Sequence, residues 1–331
     1  MENKKTVFEE KRSKRTFADW SNLKPPFPKE VFMDVTSYCN YECIFCSNKK
    51  LSDKCHLDKE LAFRIIDECS ENGTEDMAMY ATGEPFMRND LHEFVAYAKS
   101  KNIKYVFLGT NGSLATAQRA KAVLDAGLDS IKFSINAGTR ESYHKVHGRD
   151  DFEKVIENVK WIHNYRKESG LKFGMYVSMV PTHLTEGEIP VLEKVIGPYV
   201  DLINNRGCSN QGGNMYENNF NAKVDKDNLL GSLTTEKHCG KCPDLFQRTV
   251  VTPQGYLSAC VVDYRNYLCV ADLHEVTIKE AWHDDVYVDL RRKHVEGKLS
   301  RLMCNNCLNN VNEQAEPLVE KYSLSYKNEK K

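Results

Sequence analysis

Short β-rich runs alternate with amphipathic stretches of helical length from residue 31 onward, and this alternation restricts the possible folds more than any other feature of the chain. Six strand-like runs begin near residues 31, 75, 103, 129, 172 and 200, and a predicted helix follows each of the first five. Strands that are joined through helices run parallel with right-handed crossovers. We therefore expect an α/β fold in which a parallel sheet curls into a partial (β/α)6 barrel.

The pattern changes after the sixth strand. Residues 206–228 are rich in Asn and Gly and lack periodicity, which indicates a long loop or linker. Beyond them, residues 248–262 predict a β-hairpin and residues 278–297 predict a helix. The chain is thus expected to comprise an N-terminal extension (1–30), a barrel with its linker (31–228), a small cysteine-rich module (229–312) and a charged C-terminal tail (313–331) with a solvated end.

The composition favours a soluble, cytoplasmic protein. Hydrophobic residues make up 41% of the 331 residues, and no run approaches the roughly 18 apolar residues that a membrane span requires. The first residues carry charges of both signs and lack the apolar core of a secretory signal. Lys and Arg number 46 against 47 Asp and Glu, so the net charge gives no reason to expect nucleic acid as a partner.

Twelve cysteines are many for a chain of this kind. Because disulfides are rare in a reducing compartment, we expect metal binding or catalysis instead. One group of three lies close together early in the chain, and a second group of five lies within the last hundred residues: Cys239, Cys242, Cys260, Cys304 and Cys307. This grouping predicts two metal centres, one in each half.

The first group consists of Cys39, Cys43 and Cys46, which directly follow the first predicted strand. Parallel α/β folds collect their chemistry at the carboxyl ends of the strands. Three protein ligands leave one position of a metal or cluster open, whereas four close it. The spacing favours a cluster with an open position; the alternative is a structural zinc site that takes Cys55 or His56 as its fourth ligand.

The segment CNYECIFC, residues 39–46, resembles the signature Cys-x3-Cys-x-aromatic-Cys of the radical S-adenosylmethionine (SAM) enzymes, with Phe45 as the aromatic residue. The resemblance implies that the three cysteines hold a 4Fe–4S cluster whose open iron binds the amino and carboxylate groups of SAM. The missing fourth cysteine then marks the position that SAM takes.

Three further segments, each following a predicted strand, also resemble this family: ATGEP, GTNG and FSINAG. In the first, Thr82 replaces a glycine of the family's Gly-Gly-Glu segment, and Glu84 is expected to accept a hydrogen bond from the SAM amino group. The resemblance implies that SAM is contacted by Phe45, Thr82, Gly83, Glu84, Pro85, Asn111, Ser134 and Asn136.

The segment after the fourth strand, residues 141–159, resembles the corresponding segment of a subgroup of these enzymes. We interpret His144, His147 and Arg149 as loop contacts and not as catalysts. The alternative for Arg149 is an ion pair with a carboxylate of SAM or of the substrate.

The second group contains two Cys-x-x-Cys pairs, which alone are typical of a zinc ribbon. Twelve residues separate Cys242 from Gly255 and four separate Gly255 from Cys260, which is similar to the opening of the SPASM and twitch modules of radical SAM enzymes. Only CNNC follows, so the shorter twitch form fits better. This resemblance implies an auxiliary 4Fe–4S cluster, with zinc as the alternative, held by Cys242, Cys260, Cys304 and Cys307. Cys239 either replaces Cys242 or is not a ligand.

The resemblance also implies the reaction. An external low-potential electron donor such as flavodoxin or ferredoxin reduces the first cluster, SAM is cleaved, and a 5'-deoxyadenosyl radical abstracts hydrogen from a C–H bond. The substrate radical then becomes a ketone or an epimer. Two residues after the sixth strand are candidate catalytic residues. Arg206 would assist deprotonation or bind an anionic group, with a salt-bridge arginine as the alternative. Cys208 would donate a hydrogen atom, with a small buried cysteine as the alternative.

Enzymes with a twitch module include dehydrogenases that act on aminocyclitols and sugars, whereas many SPASM relatives modify peptides and commonly carry a leader-peptide domain before the barrel. Only about thirty residues precede the first predicted strand here, so we expect a small-molecule substrate and no membrane or nucleic-acid partner. The alternatives are a peptide-modifying maturase and a non-enzymatic iron–sulfur or zinc binding module.

Overall fold

The computed structural model describes residues 18–205, 210–215, 241–309 and 311–327. Its barrel strands are adjacent in chain order and all parallel, as the alternation of strands and helices predicts. They are β1 (Glu30–Met33), β2 (Asp76–Ala78), β3 (Tyr105–Thr110), β4 (Ser130–Ser134), β5 (Gly174–Met179) and β6 (Leu202–Asn205).

The described helices cover one side of this sheet and the C-terminal module. They are α1 (Lys59–Glu71), α2 (Leu91–Ser100), α3 (Ala117–Asp125), α4 (Arg140–His147), α5 (Phe152–Ser169), α6 (Ile189–Ile196), α7 (Asp244–Gln247), α8 (Ile278–Trp282), α9 (Asp285–Glu296) and α10 (Met303–Asn309). The predicted Asp cap of the first helix is confirmed, since the Asp58 side chain accepts a hydrogen bond from the Leu61 N–H.

The C-terminal module extends the same sheet. Strand β7 (Arg248–Val251) pairs parallel with β1, and β8 (Tyr256–Ser258) and β9 (Cys269–Asp272) follow antiparallel. The described strands therefore form one nine-stranded sheet in the order β6-β5-β4-β3-β2-β1-β7-β8-β9. The predicted hairpin is confirmed, whereas the β1–β7 pairing joins residues about 218 apart and leaves no local pattern in the sequence.

The single helix expected over residues 278–297 is wrong in one respect, because the structure contains two helices there. Helix α8 ends at Trp282, and Asp284 starts α9 by accepting a hydrogen bond from the Val286 N–H at 2.8 Å. A short acidic side chain at this position satisfies a helix N-terminus better than it continues a helix. The sequence contains this capping signal at His283-Asp284-Asp285, and the signal marks the break between the two helices.

The two faces of the parallel sheet differ in character. Alternate residues such as Val31 and Met33 pack with the helices in the main hydrophobic core. The opposite, concave face carries a smaller cluster of Phe32, Ala78, Tyr105, Phe107 and Val250, with Tyr80 packed against it. The carboxyl ends of the parallel strands open at one edge of this concave face, which is where functional groups of such sheets gather.

The C-terminal segment returns across both halves of the molecule. The Leu318 N–H donates to the Tyr267 carbonyl, the Leu324 N–H donates to the Arg265 carbonyl, and Tyr326 forms an isolated β-bridge with Leu51. Backbone hydrogen bonds therefore join the described part of the tail to other segments as far as residue 327. None of the described helices combines the length and apolar character needed to cross a membrane.

Candidate functional site

The first group of cysteines lies in the loop after β1. Burial raises the pKa of the Cys39 thiol to about 12, and the charges of Glu84 and Cys46 contribute to the rise. Burial, and then the charges of Cys46 and Cys39, likewise raise the pKa of Cys43. The three sulfurs are thus close enough to repel one another as anions, and they become thiolates together only when a positively charged centre binds them.

The second group is brought together from three separate segments. Cys242 precedes α7, Cys260 follows β8, and Cys304 and Cys307 lie one turn apart on α10. Burial raises the pKa of Cys260, and the charges of Cys304, Cys242 and Cys307 raise it further. All four predicted ligands therefore face one another, while Cys239 lies outside the described residues.

Both groups suit a cluster better than a single ion. In the described part of the chain, no three His, Cys, Asp or Glu side chains are placed to hold one metal ion. A zinc ion needs its sulfur ligands about 2.3 Å from its centre, which draws them tightly together. A 4Fe–4S cluster is held by cysteine thiolates at wider separations, and the predicted protein ligands of both groups are all thiols. The cysteines fit the implied clusters.

The loop ATGEP, which follows β2, packs directly on the first cysteine loop. A Cβ atom on Gly83 would lie 2.0 Å from the Thr36 carbonyl oxygen, so only glycine fits this contact. The Glu84 N–H donates to the Tyr38 carbonyl at 2.9 Å. The Thr82 hydroxyl donates to Asp34, which anchors the loop from below. Thr82 thus has a structural hydrogen bond of its own.

Glu84 is buried, with 2% of its surface exposed. Its carboxylate accepts hydrogen bonds from the Thr110 hydroxyl at 2.7 Å, the Asn111 N–H at 2.7 Å and the Phe86 N–H at 3.1 Å. Burial outweighs these bonds and raises the pKa of Glu84 to about 7. Pro85 is also buried and begins the short 3-10 turn Pro85–Met87. The expected contact of Glu84 with the SAM amino group stays a prediction.

Asn111 ties the turn after β3 to the cysteine loop. Its Nδ2 donates to the Oδ1 of Asn40 at 2.9 Å, and its Oδ1 accepts from the N–H and the hydroxyl of Ser113. The Nε of Arg149 donates to the backbone carbonyl of the same Asn40 at 3.1 Å. Asn40, between Cys39 and Tyr41, is therefore held from two sides.

Ser134 and Asn136 lie at the carboxyl end of β4, where Ser134 is the last residue of the strand. Ser134 is half-buried and lies opposite Ser178 of β5 in the strand register. Asn136 is buried, and its Oδ1 accepts from the Val180 N–H at 2.8 Å. Its backbone N–H points at the Nε2 of His147, 3.3 Å away.

The interpretation of His144 and His147 as loop residues is wrong, because both lie on a helix. His144 and His147 lie on α4, and His147 is 1% exposed with the Nδ1 of its ring 3.1 Å from the Sγ of Cys43. Burial lowers the pKa of His147 to about 3, so the ring is neutral. Because the Asn136 N–H can only donate, Nε2 is the acceptor and the proton resides on Nδ1. His147 therefore donates to the Cys43 sulfur.

Gln211, in the predicted linker, binds the loop that carries the first group of cysteines. Its Oε1 accepts from the N–H and the hydroxyl of Ser47, and its Nε2 donates to the Phe45 carbonyl at 2.8 Å. The neighbouring Asn210 donates through Nδ2 to the Asn306 carbonyl on α10 at 2.6 Å. Residues 210–215 thus join the loop of the first cysteine group to the helix that carries two of the second.

Several contact residues were missed by sequence reasoning. Asp34 has a usable signal, since it is a charged residue at the end of a predicted buried strand, next to the cysteine loop. Gln211 and Tyr264 have no such signal, because their partners in the first cysteine loop lie more than 100 residues away in the chain. The candidate catalytic residues Arg206 and Cys208 lie outside the described residues.

Two family models match the chain. The model of the radical SAM superfamily matches residues 33–194, and that of the SPASM iron–sulfur cluster-binding domain matches residues 239–308. Among curated proteins, a probable GTP 3',8-cyclase of Saccharolobus islandicus (strain L.S.2.15 / Lassen #1) is 34% identical over 133 residues, which cover 40% of this chain and 42% of the relative. An Fe-coproporphyrin III synthase of Methanosarcina barkeri is 31% identical over 148 residues, 44% of this chain and 35% of the relative. The chain thus spans less than half the length of these relatives.

Solved structures with the same fold extend over both domains. BtrN in complex with AdoMet and 2-DOIA aligns with a TM-score of 0.57 and 19% identity, covering 91% of this chain and 100% of that chain. SuiB of Streptococcus suis bound to the precursor peptide SuiA aligns with a TM-score of 0.68 and 15% identity, covering 87% and 72%. At these identities the likeness shows the fold alone.

Proposed function

Because the chain belongs to the radical SAM superfamily and carries a SPASM iron–sulfur domain, we propose that it abstracts hydrogen from a C–H bond of a small polyol, sugar or aminocyclitol. The product would be a ketone or an epimer. Its cofactors are SAM with a 4Fe–4S cluster in the first domain and auxiliary iron–sulfur in the second. When bound and reduced, SAM and its cluster supply the 5'-deoxyadenosyl radical.

In this proposal, the two groups of cysteines have different tasks. Cys39, Cys43 and Cys46 would hold the cluster that leaves a position for SAM, and the loops after β2, β3 and β4 would line the SAM site. Cys242, Cys260, Cys304 and Cys307 would close the auxiliary 4Fe–4S cluster completely. A closed cluster is suited to accept or pass on an electron and not to bind substrate.

The observation that carries the choice of a polar small molecule is a pair of side chains on the concave face. The Nζ of Lys132 donates to the Oη of Tyr80 at 2.7 Å. Lys132 lies on β4 directly between Gly109 of β3 and Tyr176 of β5 in the strand register. The Tyr80 ring lies over Gly109, where a Cβ atom would come within 2.7 Å of it. An ammonium and a phenol hydroxyl side by side suit the hydroxyls of a polyol.

The same pair offers a route for a proton. A ketone would form when the radical carbon's hydroxyl loses its proton and the resulting ketyl radical passes one electron to an acceptor, for which the auxiliary cluster is the candidate. Tyr80 hydrogen-bonded to Lys132 is a group of the kind that can relay the proton. BtrN, which matches over its whole length, was solved with AdoMet and 2-DOIA, and an aminocyclitol-type substrate is part of the proposal for this chain.

Modification of a peptide is the second candidate, and one cavity favours it. A cavity of about 520 Å³ in the C-terminal module is lined largely by polar side chains, among them Arg265, Tyr267, Asn306 and Glu313. This volume falls in the range of ligand pockets, and SuiB was solved with a peptide. A peptide substrate would occupy this cavity and extend to the barrel.

The first experiment separates an enzyme from a metal-binding module. Anaerobically reconstituted protein is expected to hold about eight irons per chain, from two four-iron clusters, and to release 5'-deoxyadenosine from SAM on reduction by dithionite, flavodoxin or ferredoxin. About four irons with bound zinc, or no SAM cleavage, would contradict the proposal.

The second experiment identifies the outcome. Candidate sugars, aminocyclitols and peptides are incubated with the reconstituted enzyme and SAM in deuterated water, and the masses of the products are measured by mass spectrometry. A loss of about two mass units indicates oxidation, and a gain of one deuteron indicates inversion through an exchangeable thiol. Cys208→Ala is expected to abolish inversion and spare SAM cleavage, and Arg206→Ala to slow oxidation; unchanged product from Cys208→Ala would exclude this thiol as the donor.

A further inference from the structure

Tyr264 of the C-terminal module reaches the first group of cysteines. Its Oη lies 3.5 Å from the Sγ of Cys46, a residue 218 positions earlier in the chain. A thiolate bound to iron has no proton to give, so the tyrosine hydroxyl is the donor of this hydrogen bond. We propose that Tyr264 donates a hydrogen bond to the Cys46 thiolate and thereby raises the reduction potential of the SAM-binding cluster.

The contact lies beside a small apolar cluster that limits its exposure to water. Tyr264 is 8% exposed and packs with Leu51 and Tyr326, and the partly buried Cys46 packs against this cluster. Leu51 comes from the barrel domain and Tyr326 from the C-terminal segment, and the two form a β-bridge. A hydrogen bond is electrostatically stronger in such surroundings than in water.

The loop that carries Tyr264 is held rigidly by its neighbour. The buried carboxylate of Asp263 accepts from the Ser258 hydroxyl at 2.8 Å and from the N–H groups of Tyr267 and Leu268 at 2.8 and 2.7 Å. The Asp263 N–H also donates to the Cys260 carbonyl at 3.2 Å. Tyr264 is therefore fixed four residues from a predicted ligand of the auxiliary cluster, and one loop touches both cluster sites.

The sign of the effect follows from charge. Reduction adds an electron to the cluster, and a hydrogen bond to a ligand sulfur stabilises the more negative, reduced state. The barrel supplies one such donor, His147 at Cys43, and the C-terminal module supplies another, Tyr264 at Cys46. The first cluster is then easiest to reduce when the module is in place. This inference goes beyond the proposed function, because it holds for either class of substrate.

Tyr264→Phe tests the inference, since it removes only the hydroxyl. In reconstituted holoenzyme, a redox titration followed by electron paramagnetic resonance (EPR) is expected to show a more negative potential for the first cluster, identified by the response of its signal to SAM. The auxiliary cluster should keep its potential. Tyr256→Phe is the matched control, because this tyrosine lies in β8 of the same module with its ring against Tyr322, and it should change neither potential.

An unchanged potential of the first cluster in Tyr264→Phe, or equal shifts of both clusters, would overturn the inference. A second measurement keeps the Tyr264 hydroxyl and changes only its strength as a hydrogen-bond donor. Incorporation of 3-fluorotyrosine into the native chain makes the Tyr264 hydroxyl a stronger donor and is expected to raise the first potential, with no such shift in a Tyr264→Phe background. If the fluorinated native enzyme keeps the original potential, the hydrogen bond does not tune this cluster.

Discussion

The Nδ1 of His147 lies 3.1 Å from the Sγ of Cys43, although 104 residues separate the two in the chain. The backbone N–H of Asn136 occupies the other ring nitrogen, so the imidazole has a single arrangement in which both of its nitrogens are used. This links the end of β4 to the cysteine loop after β1 through one buried side chain. His147 is accordingly a positioning residue for the loop of the first cluster.

His147→Leu should therefore destabilise the protein and weaken the first cluster site. The substitution leaves the Asn136 N–H buried without an acceptor, which costs about 1–3 kcal/mol of unfolding free energy. Anaerobic urea unfolding followed by circular dichroism measures this cost, and iron analysis measures the loss from the first site. His144→Leu on the same helix is the control, because His144 is exposed. Equal stability and iron content of the two variants would contradict the assignment.

The sequence predicts the order of the elements well and the contacts between distant ones poorly. Strand and helix periodicity is local, and it correctly placed β1 to β6, the Asp58 cap and the hairpin of β7 and β8. The cysteine spacings located both thiol groups for the same reason. By contrast, the β1–β7 pairing and the contacts of His147 and Tyr264 depend on how the sheet closes, and no pattern along the chain records that.

The buried carboxyl of Asp34 should make the stability of the protein depend on pH. Burial raises the pKa of its carboxyl to about 6, above the ordinary value of about 4, despite hydrogen bonds from Thr82 and the Ala81 N–H. Between these two values the folded protein keeps a proton that the unfolded chain has released, so the unfolding free energy falls as pH rises through this range. The fall is on the order of 3 kcal/mol.

Asp34→Asn should flatten this part of the pH profile, because an amide does not titrate. Anaerobic denaturant unfolding between about pH 4.5 and 7.5 gives the slope for native and variant protein. Asp58→Asn is the control, since Asp58 caps α1 and asparagine caps a helix equally well. A profile of Asp34→Asn as steep as that of the native protein would show that Asp34 is not the source.

The choice between Cys239 and Cys242 as a cluster ligand predicts different iron contents. Burial raises the pKa of Cys242, and the charges of Asp244, Cys304 and Cys307 raise it further, which places its thiol beside the other cysteines of the second site. Cys242→Ser should therefore lose about four of about eight irons, because a four-cysteine cluster then lacks one ligand. Cys239→Ser should keep them all. Iron and sulfide analysis after reconstitution measures both, and the reverse result would make Cys239 the ligand.

Lys132→Met should uncouple SAM cleavage from product formation, if substrate binds at the concave face. Removing the ammonium takes away a hydroxyl-binding group and the partner of Tyr80, and product formation is expected to fall about 100-fold, within the range for a proton-transfer group. Release of 5'-deoxyadenosine without substrate should continue, since the cysteine loop is untouched. Tyr80→Phe keeps the ring over Gly109 but removes the hydroxyl that would relay the proton, so it should lower product formation by a similar factor.

The control for this prediction is Lys121→Met on α3, where the lysine is paired with Asp125 at the surface. It should leave both rates unchanged. If Lys132→Met also keeps full product formation, the concave face does not bind the substrate. The cavity beside α10 would then be the stronger candidate, and Arg265→Ala at that cavity should raise the KM for a peptide substrate.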